Sequence, residues 1–177
     1  MSKEKVILFD TTLRDGQQTQ GVDFSVQDKV NIAKALDNIG IDYIEGGWPG
    51  ANPTDTKFFE KNNKFSNAKF TAFGMTKRSG RSADNDPQLR SLIDAHSDSI
   101  CLVAKTWDFH VDLALGISLE ENIEAIKDSV LSIKENNKEP LIDCEHFFDG
   151  FKSNPEFSFK CIEAALESGA EWVVLCD

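Results

Sequence analysis

The stretch "KVILFDTTLRDGQQ", residues 5–18, sets the problem of this sequence. An apolar run, Val6–Phe9, gives way at once to Asp10, Arg14, Asp15, Gln17 and Gln18. A short apolar run usually enters a core as a strand. A strand that ends in a charged cluster either turns through an ordinary polar loop or delivers ionisable groups to a site. Which reading holds depends on whether other strands of the chain end the same way.

Further short apolar runs follow at Tyr43–Ile44, Phe70–Phe73, Ile100–Ala104, Leu141–Cys144 and Trp172–Cys176. Most are continuous rather than alternating, as strands are when both faces of a parallel sheet are covered. Helix signals lie between them. Ser25, with Asp28 three residues on, opens "VQDKVNIAKALDNIG", which Gly40 stops. Asn52–Pro53, Asp86–Pro87 and Asn154–Pro155 each set a capping side chain before a proline at the first helical position, and Ser118–Glu121, "SLEE", is a capping box. Leu119, Ile123, Ile126, Val130 and Ile133 then fall on one helical face. The alternation, with a period of roughly thirty to forty residues, predicts parallel βα units. A doubly wound sheet and a (β/α)₈ barrel both satisfy it. The chain ends at Asp177, straight after the sixth run, whereas a barrel takes about 250 residues. On pattern alone both architectures stay open, though an ending on a strand with no covering helix looks like a cut.

Composition narrows the partners. The 177 residues are 40% hydrophobic and 28% charged, which is globular. A net charge of −11 argues against nucleic acid, which needs a basic footprint. It leaves room for an anionic small substrate, since one Arg or a bound cation can reverse the field within a pocket. No apolar run approaches membrane-span length, and the N-terminal run is too short for a signal peptide, so no membrane association and a cytoplasmic location are expected. Cys101, Cys144, Cys161 and Cys176 form no C-x-x-C pair and read as buried reduced thiols.

In parallel architectures chemistry gathers at the C-terminal ends of the strands. The first run exits to Asp10, Arg14 and Asp15, and the second to Glu45 and the tight "GGWPG". The third exits to Gly74 and Thr76, and the fourth to Lys105. The fifth carries Asp143 and exits at Glu145 and His146, and the sixth ends at Asp177. Converging carboxylates repel unless a cation sits among them or one is held protonated. Oxygen ligands of this kind suit Mg²⁺, Mn²⁺ or Zn²⁺. Arg14 beside Asp15 could hold an anionic or carbonyl group next to such an ion. The blander alternative is an Arg–Asp pair that ties a loop.

"DTTLRDGQQ" resembles the signature of the metal-dependent acyl-CoA Claisen enzymes known as DRE-TIM metallolyases. These include 2-isopropylmalate, homocitrate and citramalate synthases and hydroxymethylglutaryl-CoA lyase. The likeness extends through "DYIEGGWPGANPTDTKFF", "KTWDFHVDLALGISLEENIEAIKDSV", "DCEHFFDGFKSNPEF" and "EWVVLCD", which look most like the citramalate synthase branch. The resemblance implies an α/β fold of TIM-barrel class, truncated after about the sixth strand, with residues 1–177 as the N-terminal portion of a (β/α)₈ catalytic barrel. It implies a reaction in which acetyl-CoA, deprotonated at its methyl group, adds to the keto carbon of a 2-oxo acid, after which thioester hydrolysis releases CoA. By the same resemblance Asp15 is a ligand of a divalent metal, and Arg14 faces the keto oxygen. Glu145 serves acetyl-CoA activation, while Gln18 and Glu45 line the substrate pocket. Homocitrate synthases hold the distal carboxylate of their substrate with an Arg on the fifth strand; here Leu141 and Asp143 share the face of Glu145, which favours pyruvate.

The sequence departs from the family pattern in places. Gln17 stands where many relatives have Glu or Ala. The family completes its metal site with a His-x-His pair, and His96, His110 and His146 form none. Strand alternation turns His146 away from Glu145's side and gives it a structural role. His110, in a Trp107–His110 segment that could be a loop or a helix start, is expected to be a satisfied polar group. Lys105 could attract CoA phosphates but reads by default as a solvated lysine. Isopropylmalate or homocitrate synthase and a C–C lyase are the alternative enzymes, and an inert barrel fragment is the non-enzyme alternative. A homo-oligomer is expected, with an open sheet edge and an uncovered apolar sixth strand as the means of association.

Overall fold

The computed structural model describes residues 5–177. Six strands form one sheet in sequence order. They are β1 (Phe9–Asp10), β2 (Tyr43–Gly47), β3 (Lys69–Met75), β4 (Ser99–Lys105), β5 (Glu139–Glu145) and β6 (Trp172–Leu175). The β1–β2, β2–β3 and β5–β6 pairings are parallel. The helices are α1 (Val26–Asn38), α2 (Pro53–Glu60), α3 (Pro87–Asp94), α4 (Asp108–His110, running on into a π-helical turn, Val111–Leu115), α5 (Leu119–Glu135), α6 (Phe147–Ser153) and α7 (Pro155–Glu167). No helix among the described residues is long and apolar enough to cross a membrane.

The capping chemistry read from the sequence is present in full. Ser25 and Asp28 close a reciprocal capping box on α1, and Ser118 and Glu121 close another on α5. The Asn52 side chain accepts from Asp55 N–H and that of Asn154 from Phe157 N–H, ahead of the prolines of α2 and α7. Asp86 accepts from Gln88 and Leu89 N–H at the start of α3. Two helices lack a capping signal: α4, at the segment read as a loop or helix start, and α6, which the sequence reading did not find. α4 with its π-helical turn has no capping side chain, and left-handed Gly116 (φ 63°) ends it. α6 starts from His146, itself left-handed (φ 50°, ψ 39°), so the alternation that placed His146 opposite Glu145 stops one residue early.

The chain divides into two compact units, one running to Phe73 and including Ala95–Ser99, the other formed by Gly74–Asp94 and Ile100–Asp177. In the first, Ile44, Phe58, Phe59, Phe70 and Ala33 are fully or almost fully buried. The Phe58, Phe59 and Phe70 rings pack with centroids 4.6–5.9 Å apart. β1 is shorter than its apolar run, and Val6 and Leu8 are exposed. Leu8 O nevertheless accepts from Asp42 and Tyr43 N–H and so aligns the run with β2. The second unit packs α5 and α7 around Ile126, Val130, Ile133, Phe157, Cys161 and Ala165. Trp172 and Leu175 of β6 remain exposed, as the sequence reading expected of an uncovered strand.

One acid at the end of α1 sets the approach to β3. Asp37 is buried, and its carboxylate accepts from the N–H groups of Ser66, Asn67 and Ala68 at 2.8–2.9 Å. Desolvation pushes its pKa up, but the three donors together outweigh that and hold it below the usual carboxylate value. A carboxyl depressed in this way adds stability above its unfolded pKa of about 3.9, and loses it as the pH falls through the lower folded value. Asp37→Asn should therefore cost about 1–3 kcal/mol at neutral pH. Urea unfolding of both forms across a pH series should show the gap closing below pH ~4.

Candidate functional site

In the first unit the loop after β1 is wound tightly. Thr11 O accepts from the N–H groups of Arg14, Asp15 and Gly16 at 2.8–3.1 Å, and the Asp10 carboxylate caps Thr12 through both N–H and Oγ1. Leu13, fully buried, pins the loop, and Arg14 and Asp15 follow it. Arg14 is held on three sides. Its Nε donates to Glu45 Oε2 at 2.6 Å, its Cζ lies 3.9 Å from the centre of the Phe73 ring, and its Nη1 donates to Asp15 Oδ1 at 3.2 Å. Trp48 packs edge-on against the Phe73 ring, centroids 5.8 Å apart. Nη2 has no protein hydrogen-bond partner among the described residues.

These contacts differ in weight. Asp15's side chain is 62% exposed, and an ion pair so open to water is worth about 0–1 kcal/mol. Glu45 is 1% exposed, and removing the partner of a buried charge costs about 3–5 kcal/mol. Glu45 and Phe73 therefore set the plane of the guanidinium, and Asp15 remains available to a ligand. The β2–β3 register shifts between Glu45 and Gly47, a bulge at the strand exit that redirects the chain there. A Cβ at Gly46 would lie 2.4 Å from the Phe70 ring, so only glycine lets β2 pass.

In the second unit Lys105, at the end of β4, forms an ion pair with Glu145, at the end of β5. Thr106 Oγ1 donates to Glu145 O at 3.2 Å, and Asn122 Nδ2 to Lys105 O at 2.9 Å. The Lys105 side chain is only 14% exposed, which corrects its reading as a solvated lysine. Asp143, on the same face of β5 as Glu145, accepts the Cys176 thiol hydrogen at 2.7 Å. Trp107, His110 and His146 cluster beside the β4 and β5 exits, with the His110 and His146 rings 4.8 Å apart edge to face. Trp107 Nε1 and His110 Nδ1 are buried without a hydrogen-bond partner, which corrects the expectation that His110 is a satisfied polar group.

Of the residues expected from the sequence, Arg14, Asp15 and Glu45 are thus brought together, while Glu145 and Asp143 are placed on one strand face with separate partners. Gln18 is exposed on the Gly16–Gln18 turn and joins neither group. Its neighbour Gln17 instead turns a buried, unpartnered Oε1 inward. Phe73 and Cys176 read in sequence as core and as a buried thiol and were not picked out, whereas Lys105 was picked out at a strand exit and read there as a solvated lysine. Cys176 is in fact half-buried, whereas Cys101, Cys144 and Cys161 are buried as expected. Among the described residues no group of three or more His, Cys, Asp or Glu side chains is arranged to hold a metal ion. Asp15 offers one exposed carboxylate. That fits a single oxygen ligand of a hard cation and does not by itself make a site.

The HMGL-like family profile matches residues 5–177. The chain belongs to the HMGL-like family. It is 53% identical over 176 residues to an (R)-citramalate synthase of Aquifex aeolicus, covering 98% of this chain and 33% of that protein. It is 52% identical to the (R)-citramalate synthase of Geobacter sulfurreducens, with 97% and 33% covered. A 2-isopropylmalate synthase of Sulfolobus acidocaldarius is 32% identical, with 100% and 44% covered. The chain thus spans about a third of the length of the curated citramalate synthases it matches. Solved HMG-CoA lyases share the fold at low identity: that of Bacillus subtilis has a TM-score of 0.74 at 17% identity, with 96% of this chain and 57% of that one covered. That of Brucella melitensis has a TM-score of 0.73 at 14% identity, with 96% and 60% covered. The TIM-barrel class expected from the sequence is therefore the fold of this HMGL-like chain.

Two measurements test the local energetics. Arg14→Ala should lower stability to urea by about 3–5 kcal/mol, because it takes the guanidinium from the buried Glu45 carboxylate, whereas Asp15→Asn should change it by about 1 kcal/mol or less. Burial pushes the Cys144 and Cys161 thiols up to about 12. In the folded chain a disulfide reagent at pH 8 should therefore label Cys176 alone, with the remaining three of the four cysteines reacting only on unfolding.

Proposed function

We propose that this chain is the N-terminal portion of the catalytic barrel of a cytoplasmic acyltransferase. The enzyme condenses acetyl-CoA with a small 2-oxo acid, pyruvate giving citramalate. The observation that carries the reading is the half-used fork of Arg14. Glu45 and Phe73 fix the guanidinium plane, its Nη2 edge is left free, and the exposed Asp15 carboxylate lies beside it. The identity of 39–53% to proteins named citramalate synthase, against 29–32% to those named 2-isopropylmalate synthase, supports the branch.

The chemistry asks for three things. A proton must leave the acetyl methyl group, the methyl carbon must bond to the keto carbon as the carbonyl electron pair moves to oxygen, and water must then cleave the thioester to free the CoA thiol. Arg14 Nη2 is a directed donor to the keto oxygen, and its hydrogen bond strengthens as that oxygen becomes an alkoxide. Glu145 is the carboxylate assigned to acetyl-CoA activation, with Lys105 as the cation that keeps its charge compensated. A divalent metal, Mg, Mn or Zn, would chelate the 2-oxo acid, and Asp15 would supply one of its oxygen ligands. Asp143 and buried Leu141, on the Glu145 face of β5, offer nothing to a second substrate carboxylate, and Glu45 backs Arg14 in the substrate pocket. Gln18 belongs to the same proposal only through its place in the family motif.

The test is CoA thiol release by the full-length polypeptide that carries this chain, given acetyl-CoA and pyruvate, 2-oxoisovalerate or 2-oxoglutarate. Pyruvate should support the fastest release. Preference for 2-oxoglutarate would overturn the substrate assignment, and no release with any keto acid would favour an inert fragment. Arg14→Lys keeps the charge but loses the planar fork. It should lower turnover by about 10²–10³-fold with the fold intact by circular dichroism, and near-normal turnover would make Arg14 structural.

A further inference from the structure

The first unit contains a second cation whose position the proposed chemistry does not use. Lys29, on the inner face of α1, is fully buried. Its Nζ makes three contacts. It donates to Leu13 O at 2.8 Å, to Gly46 O at 3.0 Å, and to Asp55 Oδ1 of α2, with which it forms an ion pair. Leu13 is the residue before Arg14, and Gly46 is the residue after Glu45. A single ammonium therefore ties together the two backbone segments that carry the Arg14–Glu45 pair, one step to either side of it. Its three hydrogens have three acceptors.

The acidic half of this arrangement is equally engaged. Asp55 Oδ2 accepts from Trp48 N–H and Asn52 Nδ2, both at 2.9 Å. A Cβ at Gly47 would lie 2.5 Å from the Asp55 carboxyl, and Gly47 sits at φ +139°. The "GG" of the β2 exit is thus shaped around Asp55 as well as around Phe70. Burying an ion pair is not by itself a good stabiliser, since desolvation offsets much of the attraction and an apolar pair of like volume often does as well. Burial indeed pushes the Lys29 ammonium below its usual pKa, and Asp55 pulls it part of the way back. What an apolar pair could not do is hold two carbonyls at a fixed separation.

We propose that Lys29 and Asp55 are positioning residues: the Lys29 ammonium locks the Leu13 and Gly46 carbonyls together and thereby sets the register of Arg14 against Glu45. The geometric lock stands on the structure alone, while its effect on turnover rests on the function proposed above.

The lock is tested on the chain itself by the Arg14 Nε–H resonance, comparing wild type with Lys29→Met and with Lys29→Met/Asp55→Asn. The double variant removes both buried charges and so avoids leaving one stranded. Wild type should show a shifted, exchange-protected Nε–H, as a donor to a buried carboxylate does. In the variants that protection should fall by at least about tenfold, while the indole N–H signals of Trp107 and Trp172, in the other unit, stay in place. An unchanged Arg14 Nε–H in a folded variant would overturn the proposal, as would an unprotected one in wild type. Failure of both variants to fold would assign Lys29 to the stability of the whole unit and overturn the positioning role too. In the full-length enzyme the double variant should lose turnover with little change in the KM for acetyl-CoA. Should wild type release no CoA, the function falls while the resonance still decides the lock.

Discussion

A carboxylate at the end of β2 is the constraint around which the first unit is arranged. Glu45 is 1% exposed, and a charge so placed needs a partner with matched geometry. Arg14 supplies it from the loop after β1. That loop can present Arg14 because Asp10 and Thr11 wind it into a turn whose hydrogen bonds are internal. β2 can bring Glu45 to it because Gly46 and Gly47 pass side chains that any Cβ would strike. The motif's acids, arginine and glycines are one mechanical requirement seen at several positions.

How much of this the sequence revealed follows the range of the interactions. Capping is local, and every helix opened by a Ser, Asn or Asp signal is where that signal put it. The strands were found from their apolar runs, because a buried parallel strand carries its signal within a few residues. α6 was missed because His146 starts it with a left-handed backbone rather than a capping side chain. The Lys105–Glu145 pair spans 40 residues, and Lys29–Asp55 spans 26. Knowing that β4 lies in the same unit as β5, and that α1 packs against α2, is what turns Lys105 from a solvated side chain, and Lys29 from one more lysine of a helix, into partners. That knowledge is tertiary, and period and propensity do not hold it.

The same limit explains why the strand-exit reading found acids more readily than the groups that control them. An acid at a strand end stands out against an apolar run. Phe73, whose ring faces the Arg14 guanidinium, is one more aromatic in a run that already reads as core. A cation over a ring face gains about 0.5–2 kcal/mol, comparable to a good hydrogen bond, yet nothing in the residue type marks this phenylalanine out. Glu45 shows the converse. Its residue type stood out at a strand exit, and its partner Arg14 gave the type a meaning.

The charge balance of the Arg14 cluster bears on what it can receive. Arg14 carries one positive charge and faces two carboxylates, Glu45 and Asp15, so the cluster is net negative by one. Lys29 adds nothing to this, being neutralised by Asp55. The whole chain is acidic as well, at −11. A 2-oxo acid is an anion, and it would approach such a cluster against the field. One directed edge of Arg14 can orient a keto oxygen, but it cannot reverse the sign of its surroundings. An added divalent cation would change the local balance from −1 to +1 and make the same pocket attractive to a carboxylate. The charge of these few side chains therefore supports the divalent metal of the function proposed above. On that reading the exposed Asp15, rather than the buried Glu45, is the carboxylate that meets the ion, because its side chain already faces water and its pairing with Arg14 is the weaker of the two.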